Sequence, residues 1–317
     1  MQNKYTDRII LMSNLDNIKA GKKVNMEKSL IIQSATLEEK VYIYKKIREY
    51  NAKNIPLKKE QRVEEIFRVI KDSKGNVIAG ITGYIYHNFK CVYINLLWVK
   101  EEFRKRSYGT MLLEDIEKEA FEKGVNFVHL GTLGFQAKDF YIKKGYDIFA
   151  VLDECVLNNK MYYMKKKINN RSASFKINCV IENGTNEEAN YIGDRIVEFN
   201  SWQVPFTNEL AFEDIEKVIK DSEGNVIGGI ATTLLPWSDL EINGLWVSED
   251  CADREAKVKL LNSVEKELKE RGGHVSMLET FDIKAKDFYI ENGYEVYGIL
   301  EEYPDEYKCY YMKKILY

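Results

Sequence analysis

Val92-Tyr93-Ile94-Asn95-Leu96-Leu97-Trp98-Val99 is followed, after four intervening residues, by Arg104-Lys105-Arg106-Ser107-Tyr108-Gly109-Thr110. The first run is nearly all apolar, as expected for a strand covered on both faces. In the second, a basic turn gives way to a helix starting near Ser107. From there Tyr108, Leu112, Ile116 and Ala120 recur every four residues on one helical face, and Gly124 stands where a left-handed C-cap belongs.

The flanking sequence extends this pattern. Leu30-Ile31-Ile32 reads as a first strand and Leu37 to Tyr50 as a helix. Arg62 to Ile70 alternates as a half-buried strand does, and Asp72-Ser73-Lys74-Gly75-Asn76 turns it into a strand from Val77 to about Tyr86. Phe127 to Leu130 is a further strand. Gln136 to Lys144 is a helix ending at Gly145, and two more strands close the unit. The expected class is α/β with a mixed sheet and a strand–loop–helix step near its middle.

That step has chemical potential. Amides at a helix start lack intrahelical partners, and the dipole adds partial positive charge there, so the position suits a phosphate or pyrophosphate. Gly109 lets a ligand approach the backbone, and Arg104, Lys105 and Arg106 add charge. By physics alone, a solvated basic run capping an ordinary helix explains these residues equally well.

The order of motifs is more specific. Leu97-Trp98-Val99 before Arg104–Thr110, then Phe135-Gln136-Ala137, Phe140-Tyr141 and Gly145-Tyr146, resembles the GNAT N-acetyltransferase superfamily. The resemblance covers about residues 29–168 and, more weakly, 175–317. It implies acetyl-CoA as cosubstrate, with no metal. The pyrophosphate would lie on Arg104, Lys105, Arg106, Ser107, Tyr108, Gly109 and Thr110, and the pantetheine arm along the edge formed by Leu97, Trp98 and Val99. Ser107 departs from the family's glycine, and Gly134 from a frequent asparagine. Tyr141 matches the residue that protonates the departing thiolate. A free phenol titrates near 10 and a thiol near 8.5, so full transfer is uphill by roughly 2 kcal/mol. Either the site lowers the Tyr141 pKa or the phenol only donates a hydrogen bond; alternatively, Phe140-Tyr141 simply packs the helix on the sheet. No general base stands out, because Tyr93 and Asn95 occupy the strand positions where many members carry an acid; Asp153 and Glu154 are the candidates.

The chain repeats itself. Lys71–Ile81 returns as Lys220–Ile230, Leu97-Trp98-Val99 as Leu245-Trp246-Val247, Ala137–Ile142 as Ala285–Ile290 and Tyr162–Lys166 as Tyr310–Lys314. A period this long means duplicated domains. The expected organisation is an N-terminal extension at 1–28, a domain with the acetyl-CoA site at 29–168, a linker at 169–174 and a degenerate copy at 175–317. In the copy, Arg104 becomes Ala252, Ser107 becomes Glu255 and Gly109 becomes Lys257. A carboxylate there repels a pyrophosphate, so the second copy is expected to bind no acetyl-CoA and to pair with the first as a structural partner. Tyr289 keeps the tyrosine without the loop, which counts towards the packing reading, and Tyr141 stays the candidate catalytic residue.

Composition sets the outer limits. The 317 residues suit two domains, with 45% hydrophobic and 31% charged residues. A net charge of −3 gives no reason to expect nucleic acid or a membrane surface. Five cysteines and three histidines show no ligand spacing. No apolar run reaches the roughly 18–20 residues of a membrane span, and no secretory signal precedes the first strand, so a cytoplasmic protein is expected. The expected activity is N-acetyl transfer to a primary amine of a small molecule or peptide. The alternatives are a non-catalytic acyl-CoA-binding or scaffolding protein and a purely structural one. The acceptor pocket is expected from residues 37–60 and 190–210, with Tyr42, Tyr44, Tyr50, Trp202 and Phe206 as candidate lining.

Overall fold

A computed structural model describes residues 31–54, 63–155, 159–169, 180–207, 212–249, 254–281, 283–301 and 307–317. The expected extension at 1–28 and most of the expected linker lie outside these. The first half runs β1 (Ile31–Ser34), α1 (Leu37–Asn54), β2 (Val63–Lys71), β3 (Val77–Tyr86), β4 (Cys91–Val99), α2 (Tyr108–Glu122), β5 (Phe127–Leu133), α3 (Lys138–Lys143), β6 (Asp147–Cys155) and β7 (Asn159–Lys167). The second runs β8 (Ile181–Asn183), α4 (Asn186–Gln203), β9 (Glu213–Lys220), β10 (Val226–Leu234), β11 (Leu240–Val247), α5 (Arg254–Glu270), β12 (Val275–Thr280), α6 (Ile283–Glu291), β13 (Glu295–Glu301) and β14 (Lys308–Ile315). The two element orders are the same. Gly75, Gly124 and Gly145 take φ of 83°, 77° and 81°, as the turn and C-cap readings require.

The strands form one mixed sheet in the order β1-β9-β10-β11-β12-β14-β13-β6-β7-β5-β4-β3-β2-β8. The halves meet edge to edge at Gly298 and Ala150, which are equivalent positions of the repeat. Two cores form on one side of the sheet. One places Leu112, Leu113 and Ile116 of α2 against Ile66, Ile81 and Val128; the other places Leu260, Leu261 and Val264 of α5 against Ile219, Ile230 and Leu278.

The ends of the sheet differ from a simple tandem. β1 pairs with β9 of the second half, and β8 pairs with β2 of the first. The registers are equivalent: Ile32 faces Ile219 as Ile181 faces Ile70. The helices follow their strands, so α1 packs on β10 and β11 while α4 packs on β3 and β4. The contiguous segments 29–168 and 175–317 are therefore not the two packing units, because each half lends its first strand and helix to the other.

Local sequence makes the exchange possible. Thr36 and Glu39 form a reciprocal cap at the start of α1, as Thr185 and Glu188 do for α4. Each lent helix is also tied by charge to its host: Glu39 to Lys220 at 2.6 Å, and Glu188 to Lys71 at 3.0 Å. Each lent strand–helix pair thus presents the same pairing edge and the same kind of apolar face, and each sheet accepts it on the same terms.

Candidate active site

Strands β4 and β5 run parallel but stay paired only from Cys91–Ile94 to Phe127–Leu130, although β4 continues to Val99 and β5 to Leu133. They diverge beyond that point. Asn95 is the extra residue of a bulge between the Leu96–Thr82 and Ile94–Gly83 pairs with β3, and the bulge turns β4 away from its neighbour. The Lys100 N–H donates to Ile78 O of β3 at 2.9 Å. By the alternation of a strand, the Leu97 and Val99 amides face the gap.

Below the gap, Glu101–Phe103 forms a short 3-10 turn, and Lys105 and Ser107 take φ of 61° and 66° before α2 begins at Tyr108. Left-handed backbone costs a residue with a Cβ roughly 1 kcal/mol, which explains physically why glycine would suit position 107. The first intrahelical bond runs from Met111 N–H to Ser107 O, so the amides of Tyr108, Gly109 and Thr110 have no partner within the helix. A Cβ at Gly109 would meet Val99 and Phe140 at 3.5 and 3.6 Å, which is ordinary contact. Any requirement for glycine there comes from what binds, not from the protein's own packing.

Three cations surround this turn. Arg104 Nε donates to Val99 O at 3.1 Å, and its guanidinium lies 5.5 Å from the ring centre of Phe199 on α4. Arg106 lies 5.4 Å from the ring centre of Phe103, and Lys105 is exposed. In the second half, Cys251, Ala252 and Asp253 lie outside the described residues. Arg254 to Lys257 already belong to α5 with no left-handed residue, Arg254 is paired with Glu291, and Glu255 holds Lys259 at 2.7 Å. The backbone shape found at Lys105–Ser107 is absent from this described part.

Tyr141 is buried, set edge-on to Phe140 and Tyr146, and burial alone pushes its phenol well above the ordinary range. Tyr289 repeats every feature, with Phe288 and Tyr294 around it and the same upward shift from burial. Of the two, Tyr141 lines the cleft described next. Asp153 is held by Lys160 at 2.7 Å, which keeps its carboxyl below the usual range, and it is not part of the cleft wall. The Glu154 side chain lies outside the described residues.

The gap opens into a cleft of about 1250 Å³. Its first wall is Asn95–Val99 with Arg104, Lys105 and Ser107–Thr110, and its second is Gly131–Gly134 with Gln136–Tyr141. Its third comes from the other half: Asn190, Asp194, Val197 and Asn200 of α4, with Thr233 and Trp237. Asn200 Oδ1 accepts from Gln136 Nε2 at 2.7 Å, and Gln136 Oε1 accepts from Leu133 N–H at 2.9 Å, tying α4 to the second wall.

The structure thus brings Leu97 to Val99, Arg104, Lys105, Ser107 to Thr110 and Tyr141 to one cleft. Arg106 points to Phe103 and is not among the lining residues. The expected aromatic lining is elsewhere: Trp202 is 72% exposed, Phe206 packs on Trp237, and Tyr42 packs on Trp246 of the second half. Tyr44 and Tyr50 belong to α1 and are also absent from the cleft, because the strand exchange carries α1 away. The contributing stretch lies within the expected 190–210, but Asn190, Asp194, Val197 and Asn200 are not residues that the sequence singles out. Their spacing of three to four residues marks one face of a helix, yet nothing local tells which sheet that helix joins.

Residues 34–146 match the model of the acetyltransferase (GNAT) family. An acetyltransferase from Bacillus cereus is 33% identical, over 43% of this chain and 96% of that one, with a TM-score of 0.40. An aminoglycoside 6'-N-acetyltransferase complexed with coenzyme A is 18% identical, over 45% and 99%, at 0.31. An IAA acetyltransferase from Bacillus cereus is 18% identical, over 32% and 78%, at 0.29. No curated protein matches the chain. No described helix is long and apolar enough to cross a membrane, and the described residues hold no group of three or more potential metal ligands.

Proposed function

Because the chain belongs to the acetyltransferase (GNAT) family through residues 34–146, we propose that it transfers an acetyl group from acetyl-CoA to a primary amine of a small molecule or peptide. One observation carries the reading: the divergence of β4 from β5 directly above a turn that presents three amides without helical partners. The pyrophosphate is assigned to the amides of Tyr108, Gly109 and Thr110, with Arg104, Lys105 and Arg106 supplying charge around it. The pantetheine arm is assigned to the edge at Leu97, Trp98 and Val99. The gap-facing amides of Leu97 and Val99 can hold the thioester oxygen as charge builds on it.

Tyr141 is assigned to the departing sulfur. Burial makes its phenol a weaker acid than free tyrosine, so its role is to donate a hydrogen bond rather than to hand over its proton outright. The chain is read as two units of one ancestry, of which the second keeps the framework without the anion turn and serves as the structural partner that supplies the third wall. A cytoplasmic location fits a reaction that draws on acetyl-CoA.

The test is direct. Acetyl-CoA raises the melting temperature of the purified protein, and free thiol is released when a broad amine panel is added. The absence of both effects would overturn the proposal. A second reading, acyl-CoA binding without turnover, is favoured by the matched burial of Tyr141 and Tyr289. It predicts stabilisation by acetyl-CoA with no thiol release, and a Tyr141→Phe variant that behaves as wild type.

A further inference from the structure

We propose that Asp194, on the helix lent by the second half, is the residue that selects the acceptor, and that it selects amines carrying a second positive charge. This rests on the acetyl-transfer reading of the same cleft.

Asp194 lies on α4. Ile192 is buried against Val69 and Trp98, so the helix is fixed in rotation on the first half's sheet. Asn190, Asp194 and Val197 then follow at intervals of four and three residues, and all face the cleft. A Cβ added at Gly193 would stand 3.8 Å from Leu96, which places this turn of α4 against β4 beside the bulge where the strands diverge.

Charge is distributed unevenly around the cleft. Arg104, Lys105 and Lys138 lie on the walls assigned to the cosubstrate, where phosphates would meet them. The cleft walls hold two carboxylates, Asp139 and Asp194. Asp139 belongs to the same wall as Lys138, lies 3.6 Å from that ammonium and has an 80% exposed side chain. Asp194, also exposed, stands on the third wall and differs from Asp139 in having no ion pair or side-chain hydrogen bond among the described residues. The cation beside it is otherwise engaged: Arg195 pairs with Glu198 at 2.6 Å and lies 5.5 Å from the ring centre of Tyr191. Asn200, on the same face, is already bonded to Gln136.

An attacking amine must be neutral, and a carboxylate next to it would keep it protonated. A carboxylate on the wall facing the cosubstrate is better matched to a different ammonium on the same molecule, which it anchors while the neutral amine attacks. The acceptor class is therefore diamines, polyamines and other small molecules with at least two amino groups.

Spermidine serves as the probe, with 2-phenylethylamine as the singly charged control. In the full-length protein with coenzyme A present, Asp194→Asn weakens calorimetric spermidine binding roughly tenfold, the scale of losing a hydrogen bond to a charged group, and Asp194→Glu recovers most of it. In turnover the loss falls on the KM for spermidine more than on kcat, and 2-phenylethylamine is affected little. Equal spermidine binding by wild type and Asp194→Asn overturns the assignment, as does an equal loss for both amines. Spermidine binding that depends on Asp194, in a protein that never releases thiol, would instead overturn the acetyl-transfer reading and leave the recognition site standing.

Discussion

Gly80, in the middle of β3, carries Ile192 of the other half directly on its backbone, with no room for a Cβ between them. The second half mirrors the contact, with Ile43 seated on Gly229. These two contacts anchor the lent helices. Removing either isoleucine opens a cavity against a rigid sheet, so Ile192→Ala and Ile43→Ala are each expected to cost about 2–4 kcal/mol. Denaturant unfolding checks this, and a loss below about 1 kcal/mol would show that the helices are held elsewhere.

The exchange also predicts how the chain behaves when cut. Fragments 1–168 and 169–317, coexpressed, are expected to assemble into a one-to-one complex, because each carries a strand and helix that the other's sheet needs. Size-exclusion chromatography with a tag on one fragment reads the outcome. Two independent folded monomers would contradict the arrangement.

At the turn before α2, Ser107→Gly relieves a left-handed residue and is expected to stabilise the protein by about 0.5–1 kcal/mol while preserving or tightening acetyl-CoA binding. Gly109→Ala should fold normally, since its Cβ meets only ordinary contacts, yet bind acetyl-CoA more weakly. A Gly109→Ala protein with unchanged affinity would remove the turn from the cosubstrate site.

The tyrosine question is settled by comparing equivalent positions. Tyr141→Phe is expected to lower kcat about tenfold with acetyl-CoA affinity unchanged, whereas Tyr289→Phe should leave kcat alone. Matching kcat values for the two variants would assign both tyrosines to packing.

His129 predicts a pH effect. Burial lowers its pKa from 6.5 to about 3, so it stays neutral in the folded chain through mildly acidic pH. The unfolded chain takes up a proton near 6.5, so the folded state loses stability as pH falls from there towards 3. His129→Met, which copies the second half's Met277, is expected to flatten that limb, by up to a few kcal/mol at pH 4. Melting curves from pH 4 to 8 test this; identical acid limbs would refute it.

Much of this molecule was legible in residues. The strand expected from Val77 to about Tyr86 is found there, and Gly124 and Gly145 marked helix ends because positive φ leaves few other choices. The run to Val99 and the basic turn at Arg104–Thr110 were likewise visible, since burial and helix-start chemistry write themselves locally. The β4 bulge at Asn95, the engagement of Arg104 with Phe199 and the burial of His129 were not, because each depends on a partner remote in sequence.

By itself, then, the sequence determined the repeated framework, the family resemblance and the basic turn at Arg104–Thr110, which Ala252, Glu255 and Lys257 do not repeat in residue type. Tertiary structure alone decided where β1–α1 and β8–α4 go. Thr36 and Glu39 cap one helix as Thr185 and Glu188 cap the other, and Ile32 meets Ile219 as Ile181 meets Ile70. Two pieces with the same cap, the same register and the same apolar face fit either sheet, so no local preference can choose between them. That choice sends Tyr42 away from the cleft and brings Asp194 into it.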